Sequence, residues 1–359
     1  MRRAIGIALT GVVCAGLVAC SSDSPGSSGA TGTSAGSETT GTPAGSTDTT
    51  TGPQTITLVA YSSFPKEGTP VNDALAAFTE RTGITVDIVD AGDAGSMVNK
   101  AVLTAGNPEG DVMWGVDNTL LSAALDGKIF ESVAPEVDYG DVCINYDIAW
   151  FQDQGLNPPQ ALDDLVDPKY KDLLVVEDPS TSSTGLAFLL GTIANYGDDG
   201  WQDWWKRLVE NGVEVADSWD TAYYQRFSGA AGSDGEKPLV VSYASSPPAE
   251  VIFADPPVTE APTGVSTGTC FRQIEYAGVL RGTQHPEAAS SLLLYFRTPE
   301  FQASLPLSLF VYPADPAVPL PEEFTKYSAT ITDPFTMEPD RIAANRQQWQ
   351  EQWAQIVTG

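Results

Sequence analysis

The 359-residue chain carries 47 acidic against 18 basic side chains, a net charge of −29, with four cysteines and a single histidine. Such a surface is a poor partner for nucleic acid or anionic lipid and attracts cations, although the same charge also serves solubility alone. One histidine leaves a His-based catalytic triad or a His-rich metal centre without its residues.

In chain order, Arg2 and Arg3 precede an apolar run, Ala4 to Ala19, too short to span a bilayer comfortably and followed by Cys20. A charged start, an apolar middle and small residues at the end describe a secretory signal over 1–19. The ending, Leu17-Val18-Ala19-Cys20, resembles the bacterial lipobox. That resemblance implies lipidation of Cys20, hence palmitate or a similar chain on a membrane-anchored lipoprotein. Residues 21–53 are nearly all Ser, Thr, Gly, Ala and Pro, which cannot bury enough surface to fold. With Cys20 they form a tether over 20–53, with a reach of roughly 30 Å.

From Gln54 to Gly359 the chain is long enough for one large domain or two lobes. Strands are expected over 55–64, 84–92 and 111–118, alternating with helices over 72–83, 96–106 (capped by Ser96) and 119–128. This β-α-β-α order marks a parallel sheet flanked by helices. The middle repeats it less regularly: strands at 142–146, 173–177, 213–217 and 238–247, and helices at 184–197, 201–212 and 221–229. Trp201, Trp204 and Trp205 read as core and rim. After a strand-like run from Thr269 come two helices across 286–304. A last helix near 339–356 packs through Trp349 and Trp353, four residues apart. His285 is expected in a surface turn at a helix start. Cys143 and Cys270 lie in strand-like runs of an exported chain and are expected to pair, the alternative being two buried free thiols.

Ligands of such sheets gather at the carboxyl ends of strands and at helix N-termini. Those positions hold Tyr61-Ser62-Ser63, Asp93 to Ser96, Asp117-Asn118, Ser180 to Gly185, Ser218 to Asp220 and Tyr243 to Ser246. They offer aromatics, carboxylates and hydroxyls, and no nucleophile–His pair, phosphate loop or metal cluster. Each has a plainer use as well: Tyr61, Trp219 and Tyr243 as packing, Asp93 as a turn, Asp117-Asn118 and Ser182-Ser183 as caps.

The segments "AYSSF", "GDAGSM", "GVDN", "DPSTSSTG", "DSWDTAY" and "SYASSP" occur in an order that resembles the thiamine-binding proteins of bacterial thiamine ABC importers. The resemblance implies an α/β, bilobal type II periplasmic-binding-protein fold, with two mixed or parallel sheets, flanking helices and a hinge. Lobe one would be 54–140 with 271–359, and lobe two 141–270. It implies a binding protein rather than an enzyme, without cofactor. Its partners would be thiamine or a thiamine phosphate and an ABC permease, and it would be monomeric, at the periplasm or outer face of the cell membrane. The ligand residues it implies are Tyr61, Asp93, Ser182, Trp219, Tyr223, Tyr243 and Phe310, and Asp117, Ser183 and Ser245 join them by their chemistry and their position in the same loops. At Phe310 the family pattern has Trp, so area and an indole N–H are lost. Aromatic faces suit a thiazolium cation, worth roughly 0.5–2 kcal/mol each. Two other readings compete: the same fold for another ligand, such as a thiamine-related pyrimidine or ferric iron through Tyr223-Tyr224, and a hydrolase, against which the lack of a His beside any candidate serine counts.

Overall fold

The computed structural model describes residues 54–132 and 134–359; the signal, Cys20 and the tether expected over 1–53 lie outside the described residues. The chain opens with β1 (Gln54–Ala60), α1 (Pro70–Thr82), β2 (Ile84–Asp90), α2 (Ala94–Leu103), β3 (Val112–Asp117) and α3 (Leu121–Asp126). The long strand β4 (Glu136–Asp147) leads through α4 (Ile148–Gln154) to β5 (Leu174–Glu177), α5 (Ser183–Tyr196), α6 (Trp201–Glu210) and β6 (Glu214–Ala216). A π-helical turn, Thr221–Arg226, precedes β7 (Leu239–Tyr243), α7 (Pro247–Ile252) and a second long strand, β8 (Thr263–Val279). The remainder is α8 (Pro286–Phe296), α9 (Pro299–Gln302), β9 (Tyr312–Pro313), α10 (Glu322–Tyr327) and α11 (Pro339–Thr358).

Local chemistry sets the early elements. Pro70 starts α1, Asn72 Oδ1 accepts from the Thr69 N–H at 3.1 Å, and Gly83 ends the helix at φ 72°. Val71, Ala74, Leu75 and Phe78 form its buried face, and each large side chain so buried contributes about 1.5–3 kcal/mol. α2 begins two residues earlier than expected. Its cap is Asp93, whose side chain accepts from the Ala94 N–H, and not Ser96.

Among the described residues the strands form one nine-stranded sheet in the order β2-β1-β3-β8-β4-β7-β5-β6, with β9 on β4. The two expected sheets are present as two parallel runs, β2-β1-β3 and β7-β5-β6. They are joined by the antiparallel pair β8–β4, which continues the ladder from one run to the other. β4 and β8 are longer than the sequence suggested because Asp138, Gly140 and Asp141 sit within β4 despite low strand propensity.

One core packs α1, α8 and α9 on the β1 side, with Trp114 edge-on to Phe296 at 4.9 Å. A larger core runs from α2 and α3 to α5 and α6. Trp201, Trp204 and Trp205 are buried in it, and Trp353 of α11 meets Trp205 edge-on at 5.6 Å. Cys143 of β4 and Cys270 of β8 are joined by a disulfide, with Cα atoms 4.2 Å apart. His285 occupies the position before α8, half-buried and without a capping side-chain bond, with its Nδ1 2.9 Å from Gln54 Nε2. No helix of the described residues is long and apolar enough to cross a membrane.

Candidate ligand-binding cleft

The carboxyl ends of β1, β5, β6 and β7 all empty into one cavity of about 250 Å³. Tyr61, Ser62 and Ser63 enter from the loop after β1, and Asp93 and Ala94 from the start of α2. Ser183 and Thr184 enter from the start of α5, Trp219, Asp220, Tyr223 and Tyr224 from the stretch after β6, and Tyr243 from the end of β7. Phe310 closes the remaining side beside Phe253, their ring centroids 5.8 Å apart.

Two tyrosines are seated on glycines. A Cβ on Gly115, at φ 99° in the irregular middle of β3, would lie 2.3 Å from the Tyr61 ring. One on Gly140 of β4 would lie 2.8 Å from the Tyr243 ring. Trp219 stacks on Tyr223 with centroids 4.8 Å apart and planes 17° apart, and its indole N–H donates to Ser242 Oγ at 3.1 Å. Phe310 holds a left-handed backbone, φ 55°, which a bulky residue adopts only when its surroundings fix it. Ser245 Oγ–H donates to the Phe310 carbonyl and supplies that restraint.

Seven of the ten expected ligand residues therefore line one cavity: Tyr61, Asp93, Ser183, Trp219, Tyr223, Tyr243 and Phe310. The other three lie behind the wall. Asp117 is fully buried, and its Oδ1 accepts from the backbone N–H groups of Thr119 and Leu120 and from the Thr119 hydroxyl. This is the cap use, and burial pushes the carboxyl up to about 6. Ser182 is the N-cap residue of α5, with its hydroxyl 2.9 Å from that of Thr184. Ser245 is spent on Phe310.

Asp93 lines the cavity with both carboxylate oxygens engaged. Oδ1 accepts from the Ala94 N–H at 2.7 Å and Oδ2 from the Trp219 N–H at 2.9 Å. The second bond ties the loop after β2 to the loop after β6, and the Ser96 N–H donates to the Thr181 carbonyl beside it at 3.1 Å.

Residues 130–243 match the family of bacterial extracellular solute-binding proteins. A thiamine-binding periplasmic protein of Salmonella typhimurium is 31% identical over 321 residues, covering 84% of this chain and 93% of that protein. The chain belongs to the thiamine-binding periplasmic protein family. A solved periplasmic thiamin binding protein superposes on this family member with a TM-score of 0.73 at 28% identity, covering 84% of this chain and 96% of that one. A ferric binding protein from Campylobacter jejuni shares the fold, with a TM-score of 0.63 at 16% identity, 84% of this chain and 99% of that one.

The electrostatics of this thiamine-binding-family cleft are one-sided. Among the described residues that line it there is no lysine, arginine or histidine. Behind its aromatic wall stands a layer of buried acids, of which the sequence reading singled out only Asp117. The Tyr61 hydroxyl donates to Glu275 at 3.4 Å, and that of Tyr223 to Glu250 at 2.7 Å. The Tyr243 hydroxyl donates to Gln273 at 2.6 Å, whose amide in turn reaches Asp117. Thr184 donates to Glu177 at 3.1 Å. Burial first, and these acids next, hold the Tyr61, Tyr223 and Tyr243 phenols well above their usual range, so each stays a donor. The adjacent pair Tyr223-Tyr224 therefore offers no ready phenolate: Tyr223 is committed to Glu250, and the two rings stand 83° apart. In β8 the one available signal was a Gln and a Glu at alternate positions of a strand, Gln273 and Glu275, both buried.

Proposed function

We propose that the chain captures thiamine or a thiamine phosphate outside the cytoplasm and delivers it to an ABC permease, performing no chemistry on it. The observation that carries this reading is the cleft itself. Tyr61, Trp219, Tyr223, Tyr243 and Phe310 line it, acids stand behind them, and no basic side chain does so among the described lining residues. A permanently cationic thiazolium suits aromatic faces in an acidic surround, and the aminopyrimidine and hydroxyethyl ends suit hydroxyls and backbone N–H groups. Ligand residues in this reading are Tyr61, Ser183, Trp219, Tyr223, Tyr243 and Phe310, with Asp93 bridging the two sides of the cleft.

Residues 54–140 with 271–359 would form one lobe and 141–270 the other, hinged on β4 and β8 and closing on the ligand. Cys20 would carry the lipid that holds a monomer at the membrane surface. Calorimetric titration of the purified protein, unfolded and refolded to strip carried-over ligand, tests the reading: sub-micromolar binding of thiamine or its phosphates is expected. No binding to any of them would refute it. Cys20→Ser should move the protein from the membrane fraction to the soluble fraction, and retention in the membrane fraction would remove the anchor.

A further inference from the structure

Two carboxyls under the cleft touch no ligand in the binding reading, and their protonation is left open by it. Asp138 of β4 and Glu275 of β8 are directly opposed across the antiparallel ladder, 1% and 6% exposed. Glu275 Oε2 accepts from the Tyr61 hydroxyl and, at 3.1 Å, from the Trp114 indole N–H. Neither oxygen of Asp138 has a donor among the described residues. A buried carboxylate without a single donor is costly, whereas a carboxyl sharing a proton with an adjacent carboxylate is satisfied.

The surroundings supply no other remedy. The groups facing the pair are the Asp117 carboxyl of β3, the Tyr61 phenol after β1 and the Tyr243 phenol of β7, all acids. Beyond the Tyr243 phenol lies the carboxyl of Asp93. From the α8–α9 side come the Phe296 and Phe301 rings, against Trp114. Arg272, on β8, is held by Asp141 at 2.6 and 3.0 Å, and the charge of Arg346 on α11 is felt at Asp117. Burial raises both carboxyls of the pair; the Glu275 charge raises Asp138 further, while at Glu275 the Asp117 charge adds to burial and the bond to Asp138 lowers it, as expected when one proton lies between the two.

We propose that Asp138 and Glu275 hold one shared proton while the cleft is empty and release it when a cationic ligand occupies the cleft. The O–H bond of the shared proton breaks, the proton passes to solvent, and the pair becomes two carboxylates facing the cation through Tyr61. The two residues touch no ligand and are positioning residues: they set the potential under the aromatic wall. This rests on the reading of the cleft as a site for cationic thiamine.

Two consequences separate this from a structural role. Affinity for thiamine rises with pH, by up to about tenfold per unit, until the shared proton is lost from the free protein. Binding releases close to one proton, so the apparent enthalpy changes with the ionisation enthalpy of the buffer. The experiment is calorimetry of the purified protein with thiamine, in two buffers at each of several pH values, repeated with 3-deazathiamine, a neutral isostere. Proton release with thiamine and none with the neutral compound is expected. In Asp138→Asn the release should vanish and the pH slope should flatten, and Glu275→Gln should do the same.

Infrared difference spectra of the wild-type protein give a readout that does not depend on either variant folding: the protonated-carboxyl band should bleach on adding thiamine. Thiamine binding with no buffer dependence and no bleach overturns the inference and leaves the proposed function standing. Release that survives in both variants also overturns it, by assigning the proton elsewhere. Failure of thiamine to bind removes the proposed function itself, and the inference with it.

Discussion

Replacing Trp219 by alanine is the sharpest test of the aromatic wall. Its indole lies half-buried, with one face on Tyr223 and its N–H on Ser242. Truncation removes a cation–π face worth about 1–2 kcal/mol in a desolvated site. It also leaves roughly 60 Å² of ligand apolar surface uncovered, about 1.5 kcal/mol at the usual area coefficient. Together these give about 2–4 kcal/mol, or a loss of ~30-fold to ~1,000-fold in affinity for thiamine. The backbone bond from the Trp219 N–H to Asp93 is kept by any residue but proline, so the loop itself should hold. Trp219→Phe keeps a stacking ring and should lose only about threefold to tenfold. Calorimetry gives the affinity, and thermal melting confirms that each variant is folded. A Trp219→Ala protein that is folded and binds within threefold of wild type would show that the ligand does not use this ring.

Three further outcomes follow from the same geometry. Asp117→Ala, by removing the acceptor of four donors at the end of β3, should lower the melting temperature by several degrees while changing thiamine affinity far less than Trp219→Ala does; the opposite ranking would return Asp117 to the ligand. Reduction of the Cys143–Cys270 disulfide, which links positions 127 residues apart, should lower the melting temperature by ~5–10 °C, its chain-entropy ceiling being about 5 kcal/mol, and a melt unchanged by dithiothreitol would show that the bond is not stabilising. The folded-state pKa of Asp138 is raised, so the folded protein binds the extra proton. The pair's cost is then absent below the unfolded pKa near 4 and grows as pH rises toward the folded value. Asp138→Asn should accordingly raise the melting temperature at pH 8 relative to wild type, and by more than at pH 5; an equal shift at both would contradict the assignment.

The sequence made the β1–β3 side easy to read because strand and helix periodicities there agree with their stop signals. Gly83 ends α1 in the left-handed conformation that its position after Thr82 suggests. The quoted segments also point to the cleft, because loops at the carboxyl ends of β1, β6 and β7 carry the aromatics that line it. What stayed hidden was the floor. In β8 the apolar residues of "FRQIEYA" that alternate with polar ones are Ile274 and Tyr276, yet the fully buried positions are Phe271, Gln273, Glu275 and Ala277. Alternation points apolar residues inward only where the inside is apolar. Under a polar cleft the inside is a network, and burial selects residues that can satisfy one another. The same reason lengthened β4 past the run expected for it, since Asp138 and Asp141 are tolerated in a strand whose partners answer them. Asp141 is answered by Arg272 and Asp138 by Glu275.

That network bears on how an acidic protein holds a cation. Surface charge of −29 raises the local concentration of any cation and its rate of encounter, but it is screened within about a Debye length and contributes little to a closed site. Bare carboxylates in the cleft would attract the ligand strongly, and would be costly to bury in its absence. The structure places phenols and an indole at the surface of the cleft, beside Asp93, whose two oxygens are engaged by backbone N–H groups, and Asp220, and sets further carboxyls one layer deeper, bonded to those phenols. A phenol that donates to a carboxylate has a more electron-rich ring, so its face attracts a cation more strongly while presenting no unpaired charge to the empty cleft. Under the proposed function, the aromatic wall would pass the charge of the buried acids to the ligand, and the two layers would act as one site although only the first touches what is bound.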